Sequence, residues 1–380
     1  LMQRIIWQIL ILMCSLGYAQ AAHDLVYRLP TLNDALFRGD NDGFYMYCDR
    51  NFEGVHSQPW EAGTYGMVRN PFRASNGQIM YSRMHEGIDI KPLYRDDKGE
   101  PLDRIRPVAP GKVVHVNNAP GSSNYGRYVV VQHRVPEGYI YSLYAHLATV
   151  SCEPGQHVGT GNVLGIMGHT GVGLNRVRSH LHLEIGLLIN ADYDKFCSTE
   201  NKQGLYNGLN LIGFNPTDLL MLSKNGDPVS LTRYFQTLKE HYRVRVPRVG
   251  TMDLLKRHPF LYKGKRGISP KSLDIAFTAA GVPIAVYPSN AIVRTPTLIS
   301  CKAMPTLQQN CTVNRIKNSS KDAAFTRSGL RYIEQYLWLE GRYPFPEQTQ
   351  HDETNTPSPS APSDPSGTGS HRPGREAGSQ

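Results

Sequence analysis

Short apolar runs broken by glycine dominate the middle of this chain. From about Pro71 to Leu220, β-branched stretches such as Lys112 to Val116 and Tyr128 to Gln132 alternate with tight turns. Pro107 to Gly111, Glu153 to Gly159 and Val163 to Gly168 each set a glycine where a strand bends or another backbone comes close. This texture predicts a mainly β domain over 71–226, a sandwich or partly open antiparallel barrel. Beyond Asp227 the period changes. Apolar residues recur at three- and four-residue spacing over Leu231 to His241 and Ser328 to Leu339, which predicts helices. Ile284 to Val286 and Ala291 to Val293 are short strand candidates between them, so residues 227–345 are expected to form a smaller α/β appendage.

The two ends differ from this core. Arg4, the apolar run Ile5 to Leu16 and the small-x-small segment Ala19-Gln20-Ala21 have the layout of a cleaved export signal over residues 1–21. The run is too short to span a bilayer, which takes about 20 residues. The expected location is therefore periplasmic or secreted, with no stable transmembrane segment. Residues 22–70 are a lead-in rich in aromatic and polar turn residues, and a candidate pro-segment. From Glu347 onward Pro, Ser, Thr and Gly leave too little apolar surface to offset ordering entropy, so 346–380 is expected to be a disordered tail.

Composition narrows the partners. The 380 residues carry a formal net charge of +9. Between Asp227 and Pro344, Lys and Arg outnumber Asp and Glu roughly three to one. A basic appendage favours anionic surroundings such as envelope polymers. Nucleic acid is not an expected partner, because the chain reads as exported and holds no recognisable nucleic-acid-binding motif. Six cysteines, less Cys14 in the signal, leave five. Export permits disulfides, and Cys301 with Cys311 is the pair favoured by proximity. No CxxC occurs, which argues against a cysteine-ligated zinc site.

Three short patterns carry chemistry in combination: His85-Glu-Gly-Ile-Asp89, Tyr144-Ala-His146-Leu147 and His180-Leu-His182-Leu-Glu184. Residues two apart on a strand face one side. His180, His182 and Glu184 thus project together, and His85 shares a face with Asp89 across Gly87. Two imidazoles and one carboxylate make a three-ligand zinc site with a position left for water. Bound zinc brings the pKa of that water from 15.7 to about 7. The chain has no His-Glu-x-x-His helix, which excludes the large helical metalloprotease class.

In this order, the three patterns resemble the signatures of the lysostaphin-like (LytM-type) zinc endopeptidases of family M23, over roughly Met67 to Leu220. Asn124-Tyr125-Gly126, Gly165 to Gly171 and Asn215-Pro216 fit the same resemblance. It implies an M23 peptidase-like β fold and one zinc ion held by His85, Asp89 and His182. It also implies a catalytic pair, His146 and His180, that orients and deprotonates water and stabilises the developing oxyanion, with the division of labour left open. The implied substrate is peptidoglycan, cut within stem peptides or cross-bridges. Glu184 is expected to orient a ligand and Glu86 to be structural. His115, His133, His157 and His169 are read as ordinary polar residues, His169 being the one that could line the groove. Two departures alter the groove walls: a basic insertion at Leu174 to Arg178 and an extended loop at Tyr94 to Arg104. The alternative function is an envelope-binding or hydrolase-activating scaffold without catalysis. Retention of all five chemical residues favours the enzyme.

Overall fold

The computed structural model describes residues 22–46, 51–56, 62–197, 204–248, 250, 252–265, 267, 269–303, 311–318 and 322–337. The chain divides into two compact units, Leu1–Pro344 and Phe345–Gln380, and the second lies wholly outside the described residues. The expected export signal, the Pro- and Ser-rich tail and Cys48 also fall outside them.

Strands β1 (Asn51–Phe52) and β2 (Val55–His56) form a short ribbon, and β3 (Gly66–Arg73) with β4 (Ile79–His85) forms a longer antiparallel hairpin. The next ten strands build the central domain. They are β5 (Ile88–Ile90), β6 (Arg104–Ile105), β7 (Gly111–Asn117), β8 (Tyr128–Val135), β9 (Gly138–Ala145), β10 (Leu147–Val150), β11 (His157–Val158), β12 (Gly165–Met167), β13 (Leu181–Leu188) and β14 (Leu211–Phe214). Seven of them make one antiparallel sheet in the order β11-β7-β8-β9-β13-β14, with β5 sharing the β14 edge of β13. A three-stranded sheet, β10-β12-β6, completes the domain. The architecture is mainly β and antiparallel, and no barrel closes among the described residues.

Strand β13 reads Leu-His-Leu-Glu-Ile-Gly-Leu-Leu and is buried throughout. Its odd positions, Leu181, Leu183, Ile185 and Leu187, are fully buried on one face. Each such side chain contributes roughly 1.5–3 kcal/mol through removal from water. On that same face His133 is hydrogen-bonded to Pro110 O (2.9 Å) and Ser142 Oγ (2.7 Å), with Tyr144 2.8 Å further along. His133 is thus a satisfied core residue. The even positions, His182 and Glu184 among them, face the opposite side.

The appendage is a four-stranded antiparallel sheet, β17 (Pro283–Ser289), β16 (Ser272–Phe277), β15 (Tyr242–Pro247) and β18 (Thr297–Cys301), with helices Leu231–Thr237 and Arg327–Leu337. Both helices fall where the periodicity predicts. Tyr332 and Tyr336 of the second pack on Phe277, which stacks on Tyr242 at 5.0 Å. The strand expected at Ala291 to Val293 does not form. Ser289 Oγ accepts from Ala291 N and Ser272 Oγ donates to Ala291 O, so hydroxyl groups take the backbone bonds a ladder would use. Cys301 and Cys311 are buried and not joined to each other.

The appendage packs directly on the central domain. Gln335 Nε2 donates to Asn210 Oδ1 (2.7 Å), Arg257 Nη2 to Ile189 O (2.9 Å), and Thr232 N to Glu137 Oε1 (2.8 Å). At the β8–β9 turn Gly138 has φ +134°, and a Cβ there would meet Arg257 O at 2.1 Å. Residues of the lead-in are likewise tied to the sheet: Met46 N donates to Asp89 O and Lys91 N to Phe44 O.

Candidate functional site

Register alone brings the chemistry together. His182 on β13 lies opposite Asp89 of β5 on one side and Ala145 of β9 on the other. Paired residues of antiparallel strands project to the same face. Asp89 and His182 therefore point the same way, and His146 follows directly after Ala145. Gly87 lies so close under Leu183 that a Cβ would meet its carbonyl oxygen at 2.2 Å. This close packing turns the chain back and sets His85 over Asp89.

Three donor atoms converge. His85 Nε2 stands 3.1 Å from Asp89 Oδ1 and 3.1 Å from His182 Nδ1, and His182 Nδ1 stands 2.9 Å from Asp89 Oδ1. All three residues are buried. Tetrahedral zinc with bonds near 2.0–2.1 Å spaces its ligand atoms by roughly 3.3 Å, so the donor set fits that ion. The opposite ring nitrogens are both committed as donors, His85 Nδ1 to Thr64 O (2.8 Å) and His182 Nε2 to Glu184 Oε1 (2.9 Å). Acceptors on the far side of metal-binding imidazoles fix tautomer and ring orientation. Two imidazole lone pairs and a carboxylate oxygen then face one another, an arrangement that calls for a cation between them. In the metal-free protein a proton meets that need. Burial works against a charged His182, but its bonds to Asp89 and Glu184 outweigh burial and push it up to about 9. Burial also works to raise the Asp89 carboxyl, yet His180, His85 and Arg69 hold it well below the usual range.

The remaining two histidines flank this centre. His180 Nδ1 donates to Arg178 O (2.7 Å), and its Nε2 lies 3.4 Å from Asp89 Oδ1. His146 Nδ1 donates to Thr170 O (2.9 Å). In both rings the proton on Nδ1 leaves Nε2 as the basic nitrogen. The rings of His146 and His180 meet edge to face at 4.8 Å, and His146 lies 5.8 Å from His182. Burial, with His180 and His182 adding to it, holds the His146 imidazole well below its ordinary pKa. His146 also has φ +64°, a left-handed conformation rare for a histidine and costing of order 1–3 kcal/mol. Strain of this size is retained where surrounding bonds enforce it, here His146 N to Tyr125 O at 2.9 Å.

The structure thus gathers all five residues singled out in the sequence, His85, Asp89, His146, His180 and His182, around one point. Glu184 touches His182 and accepts from Tyr125 Oη at 2.6 Å. His169 instead pairs with Glu100 at 3.1 Å. His115 packs on the rings of Tyr128 and Tyr206, and His157 is exposed on β11. Two residues escaped the sequence reading. Tyr125 stood within the segment Asn124-Tyr125-Gly126, which the sequence reading quoted without giving Tyr125 a role. Arg69 bonds Asp89 Oδ2 through Nη2, and no spacing in the sequence points to it. The two loops that depart from the family pattern are joined to each other: Arg95 Nη1 donates to Arg176 O at 2.9 Å and Nη2 to Val177 O at 3.3 Å.

His85, Asp89 and His182 form a buried cluster of the kind that can hold a metal ion, flanked by His146 and His180 on an antiparallel sheet. Residues 83–192 match the model of peptidase family M23. Among solved structures, the chain is similar to a peptidase M23 protein of Pseudomonas aeruginosa, at 28% identity over 27% of this chain and 37% of that one, with a TM-score of 0.21. It is also similar to the catalytic domain of lysostaphin from Staphylococcus simulans, at 23% identity over 32% of this chain and 76% of that one, with a TM-score of 0.23. The catalytic domain of the prophage-encoded M23 protein EnpA of Enterococcus faecalis aligns at 23% identity over 28% of this chain and 71% of that one, with a TM-score of 0.22. No curated protein matches the chain.

Proposed function

We propose that this chain is an exported zinc-dependent endopeptidase that hydrolyses peptide bonds in peptidoglycan stem peptides or cross-bridges. The convergence of His85 Nε2, Asp89 Oδ1 and His182 Nδ1 carries the reading, and the M23 match over residues 83–192 supports it. Zinc bound there would supply Lewis acidity toward a water and the scissile carbonyl. Thr64 O and Glu184 hold the two ligand rings so that their unprotonated nitrogens face inward. His146 and His180 each present a basic Nε2. One takes the proton of the attacking water at Nε2; the other, once protonated at Nε2, donates to the carbonyl oxygen as negative charge develops. Low proton affinity at His146 keeps its Nε2 available at neutral pH.

Two further features support the envelope as the setting. Ile5 to Leu16 followed by Ala19-Gln20-Ala21 reads as an export signal. The appendage exposes the basic side chains of Arg233, Lys239, Lys263, Lys271 and Lys302, which favour anionic envelope polymers around the substrate. Among the described residues no helix is long and apolar enough to cross a membrane.

Digestion of purified sacculi by the protein, with and without a chelator, tests the reading. Release of peptide-cleaved fragments that the chelator abolishes, identified by mass spectrometry, is the expected result. Intact sacculi in the presence of stoichiometric zinc would overturn the hydrolase and leave the scaffold alternative.

A further inference from the structure

Asp89 has two carboxylate oxygens with different company. Oδ1 faces His85, His180 and His182. Oδ2 is taken by the guanidinium of Arg69, which reaches in from β3 while its Nε is anchored on Ala62 O at 3.1 Å. The reach depends on a bulge. Gly66 pairs with His85 and Met67 with Met84, but the next pair is Arg69 with Arg83, so Val68 is the extra residue. Such a bulge re-aims the side chains that follow it. Opposite Arg83, two residues from His85, Arg69 shares the face of His85. In unbroken register Arg69 would oppose Ser82 and point away. Asn70, the next residue, has φ +56°.

We propose that Arg69 is a positioning residue that keeps Asp89 a single-oxygen ligand, leaving a coordination position open for the attacking water. The proposal rests on the zinc reading of the site. A buried carboxylate with both oxygens unoccupied would offer both to a dication, filling the position that chemistry needs. Arg69 prevents this by holding Oδ2 in a charge-assisted bond with a fixed donor geometry. Arg69 itself is a quarter exposed and its guanidinium bonds Ala62 O and Asp89 Oδ2, so it positions the site through Asp89.

Cobalt(II) substituted for zinc in the full chain reads the ligand sphere, because its visible absorption weakens when an extra oxygen joins. Arg69→Met should hold one metal per chain, show severalfold weaker absorption than wild type, and lose about tenfold or more in kcat on peptidoglycan peptides. Arg69→Lys, which keeps one charged donor, should restore most of the spectrum. A purely structural role would lower thermal stability in both variants without separating their spectra. Identical spectra for wild type and Arg69→Met would overturn the proposal, as would an Arg69→Lys spectrum no closer to wild type. Should Arg69→Met fail to fold, Arg69→Ala titrated with guanidinium reads the same quantity, and absence of spectral rescue there overturns it. Wild-type protein that binds no cobalt or zinc would instead sink the metal-site reading itself, a separate result.

Discussion

At the residue scale the five central side chains divide by what their nitrogens and oxygens face. His85, Asp89 and His182 turn donors toward one another, whereas His146 and His180 stand beside that centre with Nδ1 committed to backbone carbonyls. His182→Ala removes a ligand and one of the two bonds to Glu184 Oε1, so both zinc retention and hydrolysis should be lost. His146→Ala and His180→Ala should keep one zinc per chain while kcat falls by roughly 10²–10⁴. Metal content by elemental analysis beside peptidase rates separates the two classes, and full turnover in a His146 variant would refute its role. Tyr125 is subtler. Its hydroxyl bonds Glu184 Oε1, the same oxygen that accepts from His182. Tyr125→Phe should therefore weaken zinc binding by up to about 10–100-fold, measured by competition with a chromophoric chelator. The five residues were legible in sequence because short motifs carry them. Arg69 and Thr64 were not, since one depends on a bulge and the other contributes only a carbonyl.

At the element scale the site is a product of strand register. Asp89, His182 and Ala145 lie in one row across β5, β13 and β9. Alternation along β13 was legible, because leucines and isoleucine at every second position mark one face and histidine and glutamate the other. The pairing of β5 with β13 was not, since the partners are far apart in sequence and β5 has only three residues. Strand β15 was overlooked although Tyr242, Val244 and Val246 are buried between half-buried Arg243 and Arg245. A period-two signal of this kind is masked when arginines dominate the run. Gly87→Ala tests the register directly. Its Cβ would press on the Leu183 carbonyl, which belongs to backbone and cannot step aside. The substitution should push β5 off β13 and lower both thermal stability and zinc affinity. Wild-type zinc affinity in that variant would show that the close approach is dispensable. Leu183→Ala, by contrast, leaves the register intact and should cost about 2–5 kcal/mol of stability through the cavity it opens.

At the scale of the whole molecule, buried neutral histidines make the fold sensitive to acid. Burial pushes His133 down to about 4 in the core of the central sheet. Burial, reinforced by Arg257, pushes His258 down to about 3, beside the β8–β9 turn where the appendage meets that sheet. His85 and His146 are depressed in the same direction. An unfolded histidine takes up its proton near pH 6.5. Between that pH and the folded values the unfolded chain binds protons that the native chain refuses. Stability is therefore fully present above about pH 6.5 and lost as pH falls toward 4, by about 1.4 kcal/mol per pH unit for each such residue. In metal-free protein His182 adds no slope in this window, because it is protonated in both states below pH 6.5. Tm of chelator-treated protein should thus drop steeply between pH 6.5 and 4.5. His133→Gln keeps a hydrogen-bonding side chain without a titrating group, and should lower the starting stability yet flatten the slope by one proton. An unchanged slope in that variant would mean that His133 is charged in the native core. That outcome would contradict the network it forms with Pro110 and Ser142, since neutral His133 can accept through one ring nitrogen and donate through the other.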